Sequence, residues 1–310
     1  MAQVERDPLT GAETTGHTWD DNIQEFNNPL PRWWLWCFYA TVVFAIVYWT
    51  TYPSWPVAGS FLKGVSTVTY QTDAGEEVTS HWNTRALLQR DMQTGKSALA
   101  QQSYLKVIEE TSYEDISTDA DKMAFVESYG NGVFGEYCAA CHQSGAGGVV
   151  GEYPNLIDDD WLWGGEPEEI EETLQLGRVG FMPAFEETLD DEQLTQVANY
   201  VLSMSGEEND AALSEAGKEI FHGQTGGCHY CHTNEGTGLK SQGAANLTDK
   251  IWTIADVRGA ATADEKLERV KAVIHNGVNR VMPSWSSRLS DTEIKVLTAY
   301  LLNKRATSDQ

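Results

Sequence analysis

The sequence predicts an all-α protein with one N-terminal transmembrane helix followed by two tandem copies of a small helical domain. Three observations carry this reading. The stretch from Trp33 to Leu62 contains no charged side chain. A five-residue pattern, C-x-x-C-H, occurs twice in the second half of the chain. Each copy of that pattern stands at the same place in the same running order of elements, so the second half is an internal repeat. The implied segments are a tail over 1–32, an anchor over 33–53, a linker with helical content over 54–120, and two domains over 121–208 and 209–306.

The anchor comes first in the chain. Trp33 to Tyr52 is twenty mostly apolar residues ending at Pro53, and twenty helical residues rise about 30 Å, the thickness of a bilayer core. Trp33, Trp34 and Trp36 cluster at one end and Tyr48, Trp49, Tyr52 and Trp55 at the other, the pattern of an interfacial aromatic belt. A cleaved leader is disfavoured, because the 32 preceding residues hold six acidic and two basic side chains and the apolar run is too long. Cys37, inside the anchor, reads as a small apolar residue. Residues 63–120 are polar, with a helix expected around Thr84 to Thr111; they suit either a partly ordered linker or a segment lying over a partner.

The repeated motifs are Cys138-Ala139-Ala140-Cys141-His142 and Cys228-His229-Tyr230-Cys231-His232, which use four of the five cysteines. The pattern is the attachment signal for c-type haem. Two thiols one helical turn apart add to the two vinyl groups, and the histidine that follows reaches the iron. Zinc would want the two pairs some fifteen to twenty residues apart, whereas about 85 residues separate them here. A dithiol redox motif would need only one pair. Two covalent c-type haems, on Cys138 and Cys141 and on Cys228 and Cys231, with His142 and His232 as axial ligands, are therefore expected. Basic residues do not decide the anchor's orientation, since Arg32 flanks one end and Lys63 the other. Haem c is attached on the periplasmic side in bacteria, which puts the N-terminus in the cytoplasm.

Around each motif the order is helix, motif, glycine-rich loop, Asn-Leu, helix, Met-Pro, helix. Asn155-Leu156 matches Asn246-Leu247, Gly177 matches Gly277, and Met182-Pro183 matches Met282-Pro283. Glu166-Pro167 and Thr262 with Glu265 read as helix starts, and the two glycines as stops. Asp191 to Ser205 and Asp291 to Lys304 read as closing amphipathic helices. Both units resemble the small all-α cytochrome c fold. That resemblance implies that the first and last helices of each unit cross near Tyr200 and Tyr300. Met182 and Met282 are the candidates for the sixth iron ligand, since a thioether is soft and neutral and favours ferrous iron; the plain alternative is core filling. His275 competes with Met282, and Met204 is a weaker candidate. His222 and His229 read as packing or surface residues. Arg178 and Arg280, close before the methionines, suit haem propionates or solvent.

Net charge is −25, unevenly placed along the chain: residues 121–210 carry 20 acidic and 2 basic side chains, residues 211–310 carry 11 and 12. Nucleic acid is disfavoured as a partner. A field of one sign can steer a basic donor cytochrome c, with Asp158, Asp159, Asp160 and Glu171 as docking candidates and the first domain as the entry face; plain solubility is the alternative.

The region around the anchor is more specific still. Thr14-Thr15-Gly16-His17-Thr18-Trp19-Asp20, Asn27-Asn28-Pro29-Leu30-Pro31-Arg32-Trp33-Trp34 and Tyr48-Trp49-Thr50-Thr51-Tyr52-Pro53-Ser54-Trp55-Pro56, with two cytochrome units behind them, resemble the dihaem subunit (subunit III) of the cbb3-type cytochrome c oxidases. The resemblance implies a non-catalytic electron-transfer subunit in the bacterial inner membrane. It would accept electrons from a donor cytochrome c. It would pass them toward a monohaem cytochrome subunit and a haem–copper catalytic subunit, where oxygen reduction is coupled to proton pumping. Some members have a further N-terminal anchor; one is expected here. The rivals are a free-standing anchored dihaem carrier serving another reductase, and a dihaem peroxidase, which would need an exchangeable iron position.

Overall fold

The computed structural model describes residues 4–20, 23–72 and 74–308, and these divide into two compact units, 1–100 and 101–310. In the first unit, β1 (Thr14–Trp19) and β2 (Ile23–Phe26) form an antiparallel hairpin ahead of α1 (Arg32–Thr51). Pro31 sits at the start of α1, where its missing N–H costs nothing. No residue of α1 is buried, and among the described residues it is the one helix long and apolar enough to cross a membrane. Its last carbonyls are satisfied by the returning chain: the N–H groups of Val65 and Ser66 donate to Thr50 and Thr51 at 3.0 Å. Gly64, at φ +75°, permits this approach, because a Cβ there would lie 2.5 Å from the Thr51 carbonyl oxygen.

The segment read as a linker is folded. After the short hairpin β3 (Pro56–Val57) and β4 (Ser60–Phe61), β5 (Thr67–Gln71) and β6 (Glu77–His81) pair, and α2 (Thr84–Thr94) packs on β5. Asn83 caps α2 by accepting from the Ala86 N–H, and Val68 and Ala86 are buried. The helix expected over 84–111 is two helices, broken at Gly95, with α3 spanning Lys96–Glu110.

The second unit holds α4 (Tyr113–Thr118), α5 (Ala120–Tyr137), the single turn α6 (Ala139–His142), α7 (Pro167–Leu176), β7 (Arg178–Met182) and α8 (Asp191–Met204). The repeat follows with α9 (Ala211–His222), the single turn α10 (His229–His232), α11 (Ala263–Asn276), β8 (Val278–Met282) and α12 (Asp291–Ser308). The all-α expectation holds for the helical domains, with four small two-stranded sheets added among the described residues. The helix stops at Gly177 and Gly277 are present, at φ +72° and +68°. Thr262 accepts from the Glu265 N–H, while the Glu265 carboxylate reaches Ala261 rather than Thr262.

The helix crossings differ from the expectation that each unit closes on its own last helix. α5 packs on α12, and α9 packs on α8. A Cβ on Gly130 of α5 would lie 2.8 Å from the Cβ of Tyr300. The Tyr300 hydroxyl donates to Asn131, and its ring lies 5.8 Å from Phe134. On the other crossing, Gly217 of α9 meets the backbone of Gln196, and Tyr200 lies 5.3 Å from Phe221. The tyrosines stand at the crossings as expected, but the partner helix comes from the other repeat. The physical reason is local: six residues separate α8 from α9, so pairing those two helices carries the smallest loop-closure cost.

Two apolar cores result. One joins Val126, Phe134, Ile170 and Leu174 to Ile294, Leu297 and Tyr300; the other joins Leu194, Val197 and Leu202 to Val257, Val270 and Ile274. Burying a large apolar side chain contributes about 1.5–3 kcal/mol, so each core depends on both repeats. Between the cores, β7 and β8 pair antiparallel, from Arg178 opposite Met282 to Met182 opposite Val278.

Candidate haem-attachment sites

At both motifs the cysteines and histidine share one helical turn. The N–H groups of Cys141 and His142 donate to the Cys138 carbonyl at 3.1 and 2.9 Å, and those of Cys231 and His232 to the Cys228 carbonyl at 3.2 and 2.9 Å. That turn puts the two thiols on one side with the histidine following. All five cysteines are free thiols, and burial pushes those of Cys138 and Cys228 up to about 11.

The residue after each histidine, Gln143 and Thr233, has φ +65°. This is a left-handed value that costs a non-glycine residue on the order of 1–3 kcal/mol, and it occurs at the same place twice. It reverses the chain. Gly148 and Gly238 then donate to the His142 and His232 carbonyls at 3.0 Å, and a Cβ on either would lie within 2.4 Å of a backbone oxygen of the returning loop. The loop so folded brings the Pro154 carbonyl 3.0 Å from His142 Nδ1 and the Ala245 carbonyl 2.9 Å from His232 Nδ1. A carbonyl can only accept, so Nδ1 carries the proton and each Nε2 keeps its lone pair. Burial lowers both imidazole pKa values, against the opposing backbone hydrogen bond, and so favours the neutral, ligating form.

The residues present fit a covalently held haem. Besides the paired thiols and the oriented imidazoles, Trp252 Nε1 is a buried donor with no partner, a group that a haem carboxylate would satisfy. Its counterpart in the repeat, Trp161, donates to the Asp158 carbonyl. Sequence reasoning missed Trp252; its place six residues after Asn246, as Trp161 follows Asn155, was the available signal. The loops of the two motifs touch: Gly151 N–H donates to the Thr253 carbonyl at 3.1 Å, beside a cleft lined by Tyr153, Pro154 and Trp252.

Met182 and Met282 lie half-buried on the inward face of β7 and β8. Met282 packs in the core that includes Cys138, Ala139 and Leu156, and Met182 in the core that includes Ile220, Leu247 and Trp252. Met204 sits over Gly236 in the second motif's loop. The competing histidines are engaged to different degrees. Both ring nitrogens of His222 face backbone carbonyls, His229 Nδ1 faces the Phe221 carbonyl, and His275 Nδ1 faces its neighbour Asn276.

Arg178 donates to Thr173 and Glu172 and lies 5.1 Å over the Trp163 ring; Arg280 donates to the Gly151 carbonyl. Both are thus held along the strand pair. The docking candidates fare unequally. Asp159 is exposed. Glu171 accepts from the Tyr113 hydroxyl. Asp158 is half-buried, and burial raises its pKa. Burial, then the neighbouring Asp249 and Asp158, push Asp160 up to about 7. Of these four, only Asp159 is exposed.

The charge contrast read along the chain also needs correction. The packed bodies exchange their closing segments at the strand pair. Residues 121–181 with 282–308 hold 14 acidic and 6 basic side chains, and residues 182–281 hold 16 and 8, so each body carries −8. The contrast between domains disappears, and with it the reason to name the first as the entry face.

Comparisons with known proteins agree with the geometry. The family described as cytochrome c oxidase, cbb3-type, subunit III matches residues 127–201 and 212–301, and the N-terminal domain of cytochrome oxidase-cbb3, FixP, matches residues 11–59. The chain belongs to the subunit III family of cbb3-type cytochrome c oxidases. It is 39% identical to the cbb3-type cytochrome c oxidase subunit CcoP of Cereibacter sphaeroides, over 93% of each chain. It is 40% identical to the subunit FixP of a Bradyrhizobium species over 96% of each, and 37% identical to CcoP of Azospirillum brasilense over 98% of each. Subunit III membership brings c-type haem binding and an N-terminal membrane anchor.

Proposed function

We propose that this chain is the dihaem electron-transfer subunit of a cbb3-type cytochrome c oxidase. One haem is attached at Cys138 and Cys141 and one at Cys228 and Cys231. His142 and His232 would ligate the two irons, and Met182 and Met282 would supply the second protein ligand to each. The observation that carries this reading is the doubled turn in which each histidine gives its Nδ1 proton to a backbone carbonyl and keeps Nε2 free.

When bound, each haem supplies a one-electron iron couple. The chain's own residues set its conditions. The thiols fix position, and the carbonyl bonds of Pro154 and Ala245 orient the imidazoles. The apolar cores exclude water, and the thioethers favour the reduced state. Arg178, Arg280 and Trp252 offer donors toward propionates. A histidine and a methionine held to each iron would leave no position open to oxygen or peroxide, and the chemistry would then be electron transfer rather than bond-making.

The haem domains lie in the periplasm and the N-terminus in the cytoplasm. Electrons arrive from a basic donor cytochrome c attracted to acidic surface that includes Asp159. They leave toward the monohaem and haem–copper subunits, where oxygen reduction is coupled to proton pumping. Mild detergent extraction followed by identification of co-purifying subunits and oxygen uptake tests this. Recovery of the chain alone, with oxidase activity in a separate fraction, would instead favour a free-standing dihaem carrier.

A further inference from the structure

We infer that the β3–β4 hairpin is a lipid-binding element, embedded in the phospholipid headgroup layer at the C-terminal end of the membrane helix. This goes beyond electron transfer and needs only that α1 crosses the membrane.

Four observations carry it. The first is where the uncharged run stops. α1 ends at Thr51, but the next charged side chain is Lys63, so residues 52–62 prolong the run beyond the helix. Trp55, Val57, Phe61, Leu62 and Val65 are each between 48% and 79% exposed. Facing water, they would form a contiguous apolar patch with nothing to cover it.

The second is how the hairpin is tied to the helix. Its base closes where Ser54 N–H donates to the Leu62 carbonyl at 2.9 Å and Leu62 N–H donates to the Trp55 carbonyl at 3.0 Å. The Ser54 hydroxyl donates back to the Trp49 carbonyl at 3.1 Å, and the Trp55 ring lies 5.0 Å from the Trp49 ring. Trp49 belongs to the last turn of α1 and to its aromatic belt. Trp55 is thus held at the depth of that belt rather than carried out into solvent.

The third is size. Beyond the hydrocarbon core, the headgroup layer is roughly 5–7 Å thick on each side. Each strand has two residues, a rise of about 7 Å. The turn is as short as a hairpin allows, with Ala58 at φ +46° and Gly59 at φ +82°. The whole ribbon therefore fits within the layer.

The fourth favours lipid over a protein partner. Cross-strand partners share a face of the ribbon, Pro56 with Phe61 and Val57 with Ser60. Apolar side chains consequently leave both faces. A docked protein would cover one and leave the other wet, whereas lipid surrounds both. The free strand edges keep the ribbon out of the hydrocarbon core, where nothing would satisfy them. Exposed Lys63, next in the chain, can reach headgroup phosphates.

Photocrosslinking of the full-length protein in its native membranes gives the test. The photoreactive residue p-benzoylphenylalanine is placed at Phe61, at Val57 on the other face, and at exposed Glu76 in the turn of β5–β6. Both hairpin positions should gain the mass of one phospholipid, and Glu76 should not. A protein adduct at either hairpin position would overturn the inference, as would no adduct at either or lipid adducts at all three positions alike. Where the bulky residue prevents assembly, bimane on Phe61→Cys in a Cys37→Ser background is read in phosphatidylcholine vesicles. Dibrominated phosphatidylcholine should quench it and leave bimane on Glu76→Cys bright; equal quenching overturns the lipid contact. Neither readout depends on haem ligation, so failure here leaves the dihaem reading standing.

Discussion

Gly217→Ala is expected to destabilise the second unit by about 2 kcal/mol. Gly217 lies inside α9, at its contact with α8. An added Cβ would stand 2.0 Å from the Gln196 carbonyl oxygen, 2.5 Å from its carbon and 2.9 Å from the Val197 nitrogen. These are backbone atoms of a helix, so no rotamer change relieves them. Restoring ordinary contact, about 3.5 Å or more between carbons, moves the helices apart by roughly 1 Å, which forfeits a quarter to a half of each dispersion contact across the seam. Val197, Ala198 and Val201 lie at that seam and are at most 6% exposed. Overpacking of this kind costs about 1–3 kcal/mol, and the upper end applies where only backbone can yield. Replacing a mid-helix glycine returns about 0.5–1 kcal/mol in helix propensity. For a unit of this size the net loss lowers the melting temperature by about 4–8 °C. Gly132→Ala is the control, since nothing lies within 4 Å of a Cβ there; it should gain about 0.5–1 kcal/mol. Thermal unfolding of the full chain in detergent, followed by far-UV circular dichroism, reads both. A Gly217→Ala protein melting at or above the parent would refute the close-crossing argument.

Three further outcomes are expected. Asp160→Asn should flatten the pH dependence of stability: the folded carboxyl is held up to about 7 against an ordinary 3.8, so the folded state keeps a proton that the unfolded chain releases. Stability of the parent then falls as pH rises from about 4 to 7, and the variant should match it near pH 4 and exceed it at pH 8; equal melting curves at both ends would contradict this. Reduction by a basic donor cytochrome should slow steeply with ionic strength, and Asp159→Asn should lower the low-salt rate and weaken the slope; a flat salt response in stopped-flow would remove electrostatic docking. Cys138→Ser/Cys141→Ser should halve the covalent haem per chain in a pyridine haemochrome assay, whereas an unchanged ratio would mean the first motif carries none.

The parts of this molecule set by local chemistry were legible in the sequence. The anchor follows from an uncharged run of membrane length, and α1 begins one residue before the expected Trp33. The attachment turns follow from spacing, and the helix ends at Gly177 and Gly277 from the need for positive φ. Residues set by returning chain were not legible. Gln143 and Thr233 have no composition that announces φ +65°. Trp252 became significant only once its Nε1 was seen buried and unpartnered. The β5–β6 hairpin with α2 looked like linker because its polar residues far outnumber buried ones such as Val68 and Ala86.

The exchange between repeats was hidden for a different reason. Two similar units offer similar seams, so hydrophobic pattern fits either pairing: Gly130 and Phe134 could meet Tyr200 as well as Tyr300. Loop closure distinguishes the pairings. Closing each unit on itself leaves 53 residues between α5 and α8 and 68 between α9 and α12. Exchanging leaves six between α8 and α9 and 153 between α5 and α12. Closure entropy grows only as the logarithm of length, so the very short loop saves more than the long one adds, by about 1 kcal/mol in favour of exchange. Short linkers between similarly built units thus favour crossed pairing. Crossed pairing makes each apolar core depend on segments of both repeats.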